Sequence, residues 1–139
     1  VQEGANVTVV NRTRERAQEM LTNLTISAGI KNVDVKTLDE AAEMNVDLIV
    51  NCTSAGMFPN TDNSPWIDGV PFPHGVTVYD MVYRPAITKL MQQAESNGGR
   101  AISGLGMLVR QGAAAFKIWT GVDPPIEVMF DAVRKELAK

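Results

Sequence analysis

The stretch VVNRTRER, residues 9–16, decides how this chain is read. The run that leads into it, VTVV at Val7–Val10, is continuous and rich in β-branched residues, the form of a strand buried on both faces of a parallel sheet. It ends at Asn11, and a helix is expected from Thr13, with Ala17, Met20, Leu21 and Leu24 at the i, i+3, i+4, i+7 spacing of one apolar face. Arg12, Arg14 and Arg16 crowd the junction. A helix start carries roughly half a positive charge on its free N–H groups, so each guanidinium there costs about 0.3–1 kcal/mol unless an anion sits among them.

Outward from that junction the pattern repeats. Residues 33–38 alternate as an edge strand, 39–44 form a short helix, and 47–51 (DLIVN) form a strand that runs into NCTSAGM. Residues 58–75 hold four prolines and no period, long for a structureless loop and therefore expected to be functional or tucked against another domain. A strand at 77–81, a helix at 88–96, a short strand at 100–102 and helices at 107–120 and 125–137 complete the chain. Strands alternating with helices predict an α/β fold: a Rossmann-like parallel sheet with flanking helices. The opening VQEGA reads as a last helical turn closed by Gly4, as if the sequence begins inside a βαβ unit, so something is expected to precede Val1.

The chain of 139 residues has an ordinary globular composition and a net charge of −3, which argues against nucleic acid as a partner. The single cysteine, Cys52, fits a reducing compartment and is expected to be a small buried filler. No apolar run suits a membrane span and no leader opens the chain, so the expected location is the cytoplasm. The arginines must then serve something small.

Ligands of open α/β sheets bind beyond the carboxyl ends of the strands. In dinucleotide-binding folds an acid at the end of the second strand takes the 2′-hydroxyl of NAD, and an arginine accommodates the 2′-phosphate of NADP. Here the position offers Asn11, Arg12 and Thr13, with Arg16 one helical turn on and no acid. Two guanidiniums can clamp one phosphate dianion with forked, charge-assisted hydrogen bonds, and the free N–H groups of the helix start add to the site. NADP is therefore the expected cofactor, with Thr13 as the helix N-cap. The plain alternative is that the arginines are solvated and pair with Glu15 and Glu19; Arg14 is expected to be surface in either case.

Four motifs, VVNRTRERA, NCTSAGM, YDMVYRP and GLGMLVRQGAAAFKIWTG, stand in an order and spacing that resemble the nucleotide-binding domain of shikimate dehydrogenases over nearly the whole chain. The resemblance implies NADPH-dependent, reversible reduction of 3-dehydroshikimate to shikimate in aromatic amino-acid biosynthesis. It implies that Asn11, Arg12, Thr13 and Arg16 hold the adenosine phosphate, and that Thr53, Ser54 and Ala55 line the ribose and diphosphate. Met81, Gly104 and Met107 would lie at the nicotinamide, Tyr83 would bind the substrate carboxylate, and Gln111 a ring hydroxyl. Gly104 and Gly106 are read as letting backbone approach a flat ring. Asp80 is expected to make a structural hydrogen bond, Asn51 to have a strand-capping role as plausible as a cofactor one, Phe116, Ile118 and Trp119 to pack, and His74 to be an exposed loop residue. No metal ligands are expected.

In the family, a lysine and an aspartate from a separate N-terminal domain form the catalytic pair. Neither that domain nor the first strand with its glycine-rich turn has a counterpart here. Residues 1–139 are therefore expected to be a fragment, an NADP-binding domain with its C-terminal helices, containing no catalytic residue, inert alone, and with its sheet interrupted between VTVV and DLIVN. Its expected partners are the small-molecule substrate and the missing N-terminal domain, and a homodimer is left open. The competing readings are a quinate/shikimate-type dehydrogenase of relaxed specificity and a non-catalytic dinucleotide-binding module.

Overall fold

A computed structural model describes residues 4–29 and 33–137. They belong to two compact units, Val1–Met44 and Asn45–Lys139.

In the first unit β1 (Val7–Val10) leads into α1 (Arg14–Ala28), and β2 (Val33–Lys36) into α2 (Leu38–Ala42). β1 and β2 pair in parallel, Val7 opposite Val33 and Val10 opposite Lys36. Ala17 and Leu21 are the buried residues of α1, whereas Met20, assigned to the same face, is exposed. The expectation of a strand covered on both faces is corrected: Val7 and Val10 are both exposed. β2 is the only strand paired with β1 among the described residues, so nothing in that sheet covers the other edge. The expected turn over residues 1–3 lies outside the described residues, although Gly4 does adopt a left-handed φ of 82°.

α2 starts at a capping box. The Thr37 hydroxyl accepts from the Glu40 N–H, while a Glu40 carboxylate oxygen accepts from the Thr37 N–H at 2.7 Å and from its hydroxyl at 3.1 Å. The hydrogen bond from the Thr37 backbone, then that from its side chain, hold the Glu40 carboxyl below its ordinary value, with Arg14 and Lys36 adding to the effect.

In the second unit β3 (Leu48–Asn51), β4 (Thr77–Asp80) and β5 (Arg100–Ser103) form a parallel sheet in that order. Asn51, Asp80 and Ser103 stand in register at its carboxyl edge. α3 (Lys89–Ser96) packs on β4 and β5 through Leu90, Met91 and Ala94, and α4 (Leu105–Thr120) packs on α5 (Ile126–Leu137).

The proline-rich stretch at 58–75 is held inside its own unit. Prolines fix φ and remove N–H donors, so side chains join the few backbone turns in ordering it. The Trp66 and Phe72 rings stack at 4.3 Å and are buried, and the Trp66 indole N–H donates to the Val70 carbonyl at 2.9 Å. Against α3, the Ser64 hydroxyl meets Gln93 Oε1 at 2.5 Å, and the Asp68 carboxylate accepts from Lys89 Nζ at 2.8 Å and Gln93 Nε2 at 2.7 Å. His74 is exposed, as expected.

Two packing expectations fail. Cys52 is exposed, because alternation along β3 gives the buried side to its neighbour Asn51. Phe116, Ile118 and Trp119 are exposed too, the last two by 80% and 82%. The buried stripe of α4 is Val109 and Ala113, and Ile118, nine residues past Val109 at roughly 100° each, falls on the opposite side.

Replacing Trp66 by alanine removes the stacked pair and its hydrogen bond together. Denaturant unfolding followed by circular dichroism should record a loss of about 3–5 kcal/mol; a loss under about 1 kcal/mol would mean that the 58–75 stretch adds little to the fold.

Candidate cofactor and substrate site

Parallel strands point their carboxyl ends at the crevice where α/β proteins bind ligands. At that edge of the second unit stands a buried anion. Asp80 is 0% exposed. A carboxylate withdrawn from water costs several kcal/mol unless donors replace the lost hydration. Its Oδ1 accepts from Asn51 Nδ2 at 2.9 Å and from the Val82 N–H at 3.0 Å, and its Oδ2 from the Thr88 hydroxyl at 2.6 Å.

Each side-chain donor also anchors something else. Thr88 is the N-cap of α3 and accepts from the Met91 N–H at 3.3 Å. Asn51 Oδ1 accepts from both the N–H and the hydroxyl of Thr53, at 2.9 and 2.7 Å, and the Thr53 hydroxyl oxygen in turn accepts from the Ala55 N–H at 3.2 Å. The structural bond expected of Asp80 is thus present, and Asn51 spends its amide on this network rather than on a strand carbonyl. Of Thr53, Ser54 and Ala55, only Ser54 has both its hydroxyl and its N–H uncommitted among the described residues.

β4 ends at Asp80, so Met81 and Tyr83 lie on the segment that follows it. Met81 is half-buried and Tyr83 exposed, and the phenol has no hydrogen-bond partner among the described residues. The backbone around Tyr83 is tied on both sides. The Val82 carbonyl accepts from the Gly104 N–H at 3.4 Å, and the Arg84 carbonyl from the Phe58 N–H at 2.9 Å. The Arg84 guanidinium lies 4.7 Å from the centre of the Phe58 ring. Sequence reasoning missed this link between the MFPN and YRPA segments, for which no periodicity gives a signal. It missed Thr88 as well, which a hydroxyl one residue before a helix could have suggested.

The two glycines stand in different surroundings. A Cβ on Gly104 would stand 2.3 Å from the Met81 carbonyl oxygen and 2.6 Å from its carbon, so the approach Gly104 permits is to the protein's own backbone. Gly106 has open space around its missing Cβ and lies inside α4, which begins two residues earlier than expected. The Ser103 Oγ accepts from the Leu105 N–H at 3.3 Å at that helix start. Met107, half-buried, and Gln111, exposed and without a partner among the described residues, lie one turn apart on α4.

In the first unit Thr13 occupies the N-cap position of α1, but its hydroxyl caps nothing. Asn11 Oδ1 accepts from the Thr13 N–H at 2.9 Å instead, an Asx turn that spans the entrance to the helix. Arg12 and Arg16 are both exposed and make no ion pair among the described residues, so the pairing with Glu15 and Glu19 does not form. Arg14, by contrast, reaches Glu40 at 3.9 Å.

Gly104 and Gly106 make opposite predictions. Gly104→Ala should cost about 1–3 kcal/mol through its clash with Met81. Gly106→Ala should be neutral or stabilising by about 0.5–1 kcal/mol. Thermal unfolding of the two variants checks this, and equal shifts would contradict it.

The description "Shikimate 5'-dehydrogenase C-terminal domain" belongs to the family model that matches residues 104–134. A shikimate dehydrogenase (NADP(+)) of Methanosarcina mazei is 39% identical over 138 residues, covering 97% of this chain and 49% of its own. A crystal structure of a shikimate dehydrogenase in complex with NADP+ superposes with a TM-score of 0.82 at 37% identity, over 96% of this chain and 47% of that one. The shikimate 5-dehydrogenase of Thermus thermophilus, in complex with NADP(H) and shikimate, gives 0.79 at 33% identity over 96% and 47%. This chain spans about half the length of the relatives it matches. By these matches the chain is similar, over nearly all of its own length, to about half of a shikimate dehydrogenase.

Proposed function

We propose that residues 1–139 form the NADP-binding domain of a cytoplasmic, NADP-dependent shikimate dehydrogenase, which interconverts 3-dehydroshikimate and shikimate. The observation that carries this reading is the pair Arg12 and Arg16, set at a helix entrance with no ion-pair partner among the described residues. The fit to a phosphate monoester is chemical. Two unpaired guanidiniums, the unused Thr13 hydroxyl and the Asn11 amide nitrogen are all donors, since Asn11 Oδ1 is already taken by the Thr13 N–H.

When bound, the reduced dinucleotide supplies the hydride. The chain's own residues bind and orient. Arg12 and Arg16 hold the 2′-phosphate, and Ser54 offers its N–H and hydroxyl to the ribose and diphosphate. Met81 and Met107 give the nicotinamide apolar surface that excludes water, and Gly104 lies beside them. The Tyr83 phenol donates to the substrate carboxylate, and the Gln111 amide meets a ring hydroxyl. These two uncommitted polar groups favour an enzyme over a module that only senses the dinucleotide. A lysine and an aspartate for proton transfer belong, by the family resemblance, to the part of the relatives that this chain does not span.

The test is NADPH-dependent reduction of 3-dehydroshikimate by the product of the complete open reading frame. Arg12→Ala and Arg16→Ala should each weaken NADP relative to NAD by about 1.5 kcal/mol, roughly tenfold, the lower end for charged hydrogen bonds because water reaches both side chains. Equal loss for both cofactors would contradict the assignment. Tyr83→Phe should raise KM for shikimate and leave the cofactor Kd unchanged; parallel changes would mean that Tyr83 only packs.

A further inference from the structure

We infer that Asp80 is a positioning residue, whose buried carboxylate sets the substrate-side and the cofactor-side segments at once. The ligand names rest on the function proposed above, whereas the geometry does not. Oδ1 holds the Val82 N–H, next to Tyr83, and the Asn51 amide, whose own oxygen fixes Thr53, next to Ser54. Oδ2 holds Thr88, so both segments are referenced to the start of α3.

Tyr83 is then an exposed side chain on an anchored backbone: Val82 is bound through its N–H to Asp80 and through its carbonyl to Gly104, and Arg84 through its carbonyl to Phe58. Asn51, Val82 and Thr88 reach Asp80 as neutral donors, each from a different segment. An apolar residue at the end of β4 could fill the same volume, but it could not hold three segments in register. An anion with several lone pairs can.

Asp80→Ala and Asp80→Asn test this in the product of the complete open reading frame. Asparagine keeps an oxygen for Asn51 and Val82, and its NH2 can donate to the Thr88 hydroxyl oxygen, so it is the conservative rescue. In Asp80→Ala the KM values for NADPH and 3-dehydroshikimate should rise together by about tenfold or more, with kcat less affected, and Asp80→Asn should bring both within about threefold of the parent. Hydrogen exchange at the Val82 and Thr53 amides supplies a readout free of ligand: both lose protection in Asp80→Ala and keep it in Asp80→Asn.

Should Asp80→Ala not fold, Asn51→Ala leaves the Val82 and Thr88 bonds intact. It should unprotect Thr53 but not Val82, and raise KM for NADPH but not for 3-dehydroshikimate. The inference is overturned if Asp80→Ala lowers thermal stability with both KM values within about twofold of the parent, or if the two amides respond independently of Asp80. A parent protein that does not reduce 3-dehydroshikimate sinks the proposed function, and the exchange measurement still decides the role of Asp80.

Discussion

One buried carboxylate organises the carboxyl edge of the second unit. Without its donors the Asp80 side chain would carry an uncompensated charge in a dry interior, so Asn51, Val82 and Thr88 are constrained to face it. From those constraints follow the Thr53 turn, the start of α3 and the segment that carries Met81 and Tyr83. Gly104 belongs to the same arrangement. It closes against the Met81 backbone where any side chain would push that segment away.

The first unit solves a different electrostatic problem. α1 begins among cations, and its own N-cap hydroxyl is idle. Arg14 is partly compensated by Glu40, which is itself committed to capping α2. Arg12 and Arg16 have no such compensation among the described residues. Exposure lets water screen them, which is why the arrangement is tolerable.

The order of strands and helices was legible in the sequence, because periods of two and of 3.6 report directly on which side of an element is covered. Boundaries moved by a residue or two, as at α4, where Leu105 and Gly106 joined the helix. The misreadings share a cause: a residue type states what it can do, not which neighbour receives it. Gly104 announced a close approach, but not that the Met81 backbone is among the neighbours that need it. Thr13 stands at the N-cap position as its type suggests, yet its hydroxyl caps nothing, and Asn11 Oδ1 accepts from the Thr13 N–H. The stacked Trp66 and Phe72 lie in a stretch without period, where no pattern forecasts a pair. In VTVV and FKIW the apolar content promised cover that the described residues do not provide.

The likeness to shikimate dehydrogenases stands on the comparisons, and the chemistry assigned to this chain stands on the cationic helix entrance. Calorimetric titration of the product of the complete open reading frame with adenosine 2′,5′-bisphosphate and with adenosine 5′-monophosphate isolates that claim, since the two ligands differ only in the 2′-phosphate. Binding should be at least about tenfold tighter for the 2′-phosphorylated nucleotide, with an advantage that shrinks as salt rises. Equal affinities at low salt would contradict the assignment of Arg12 and Arg16.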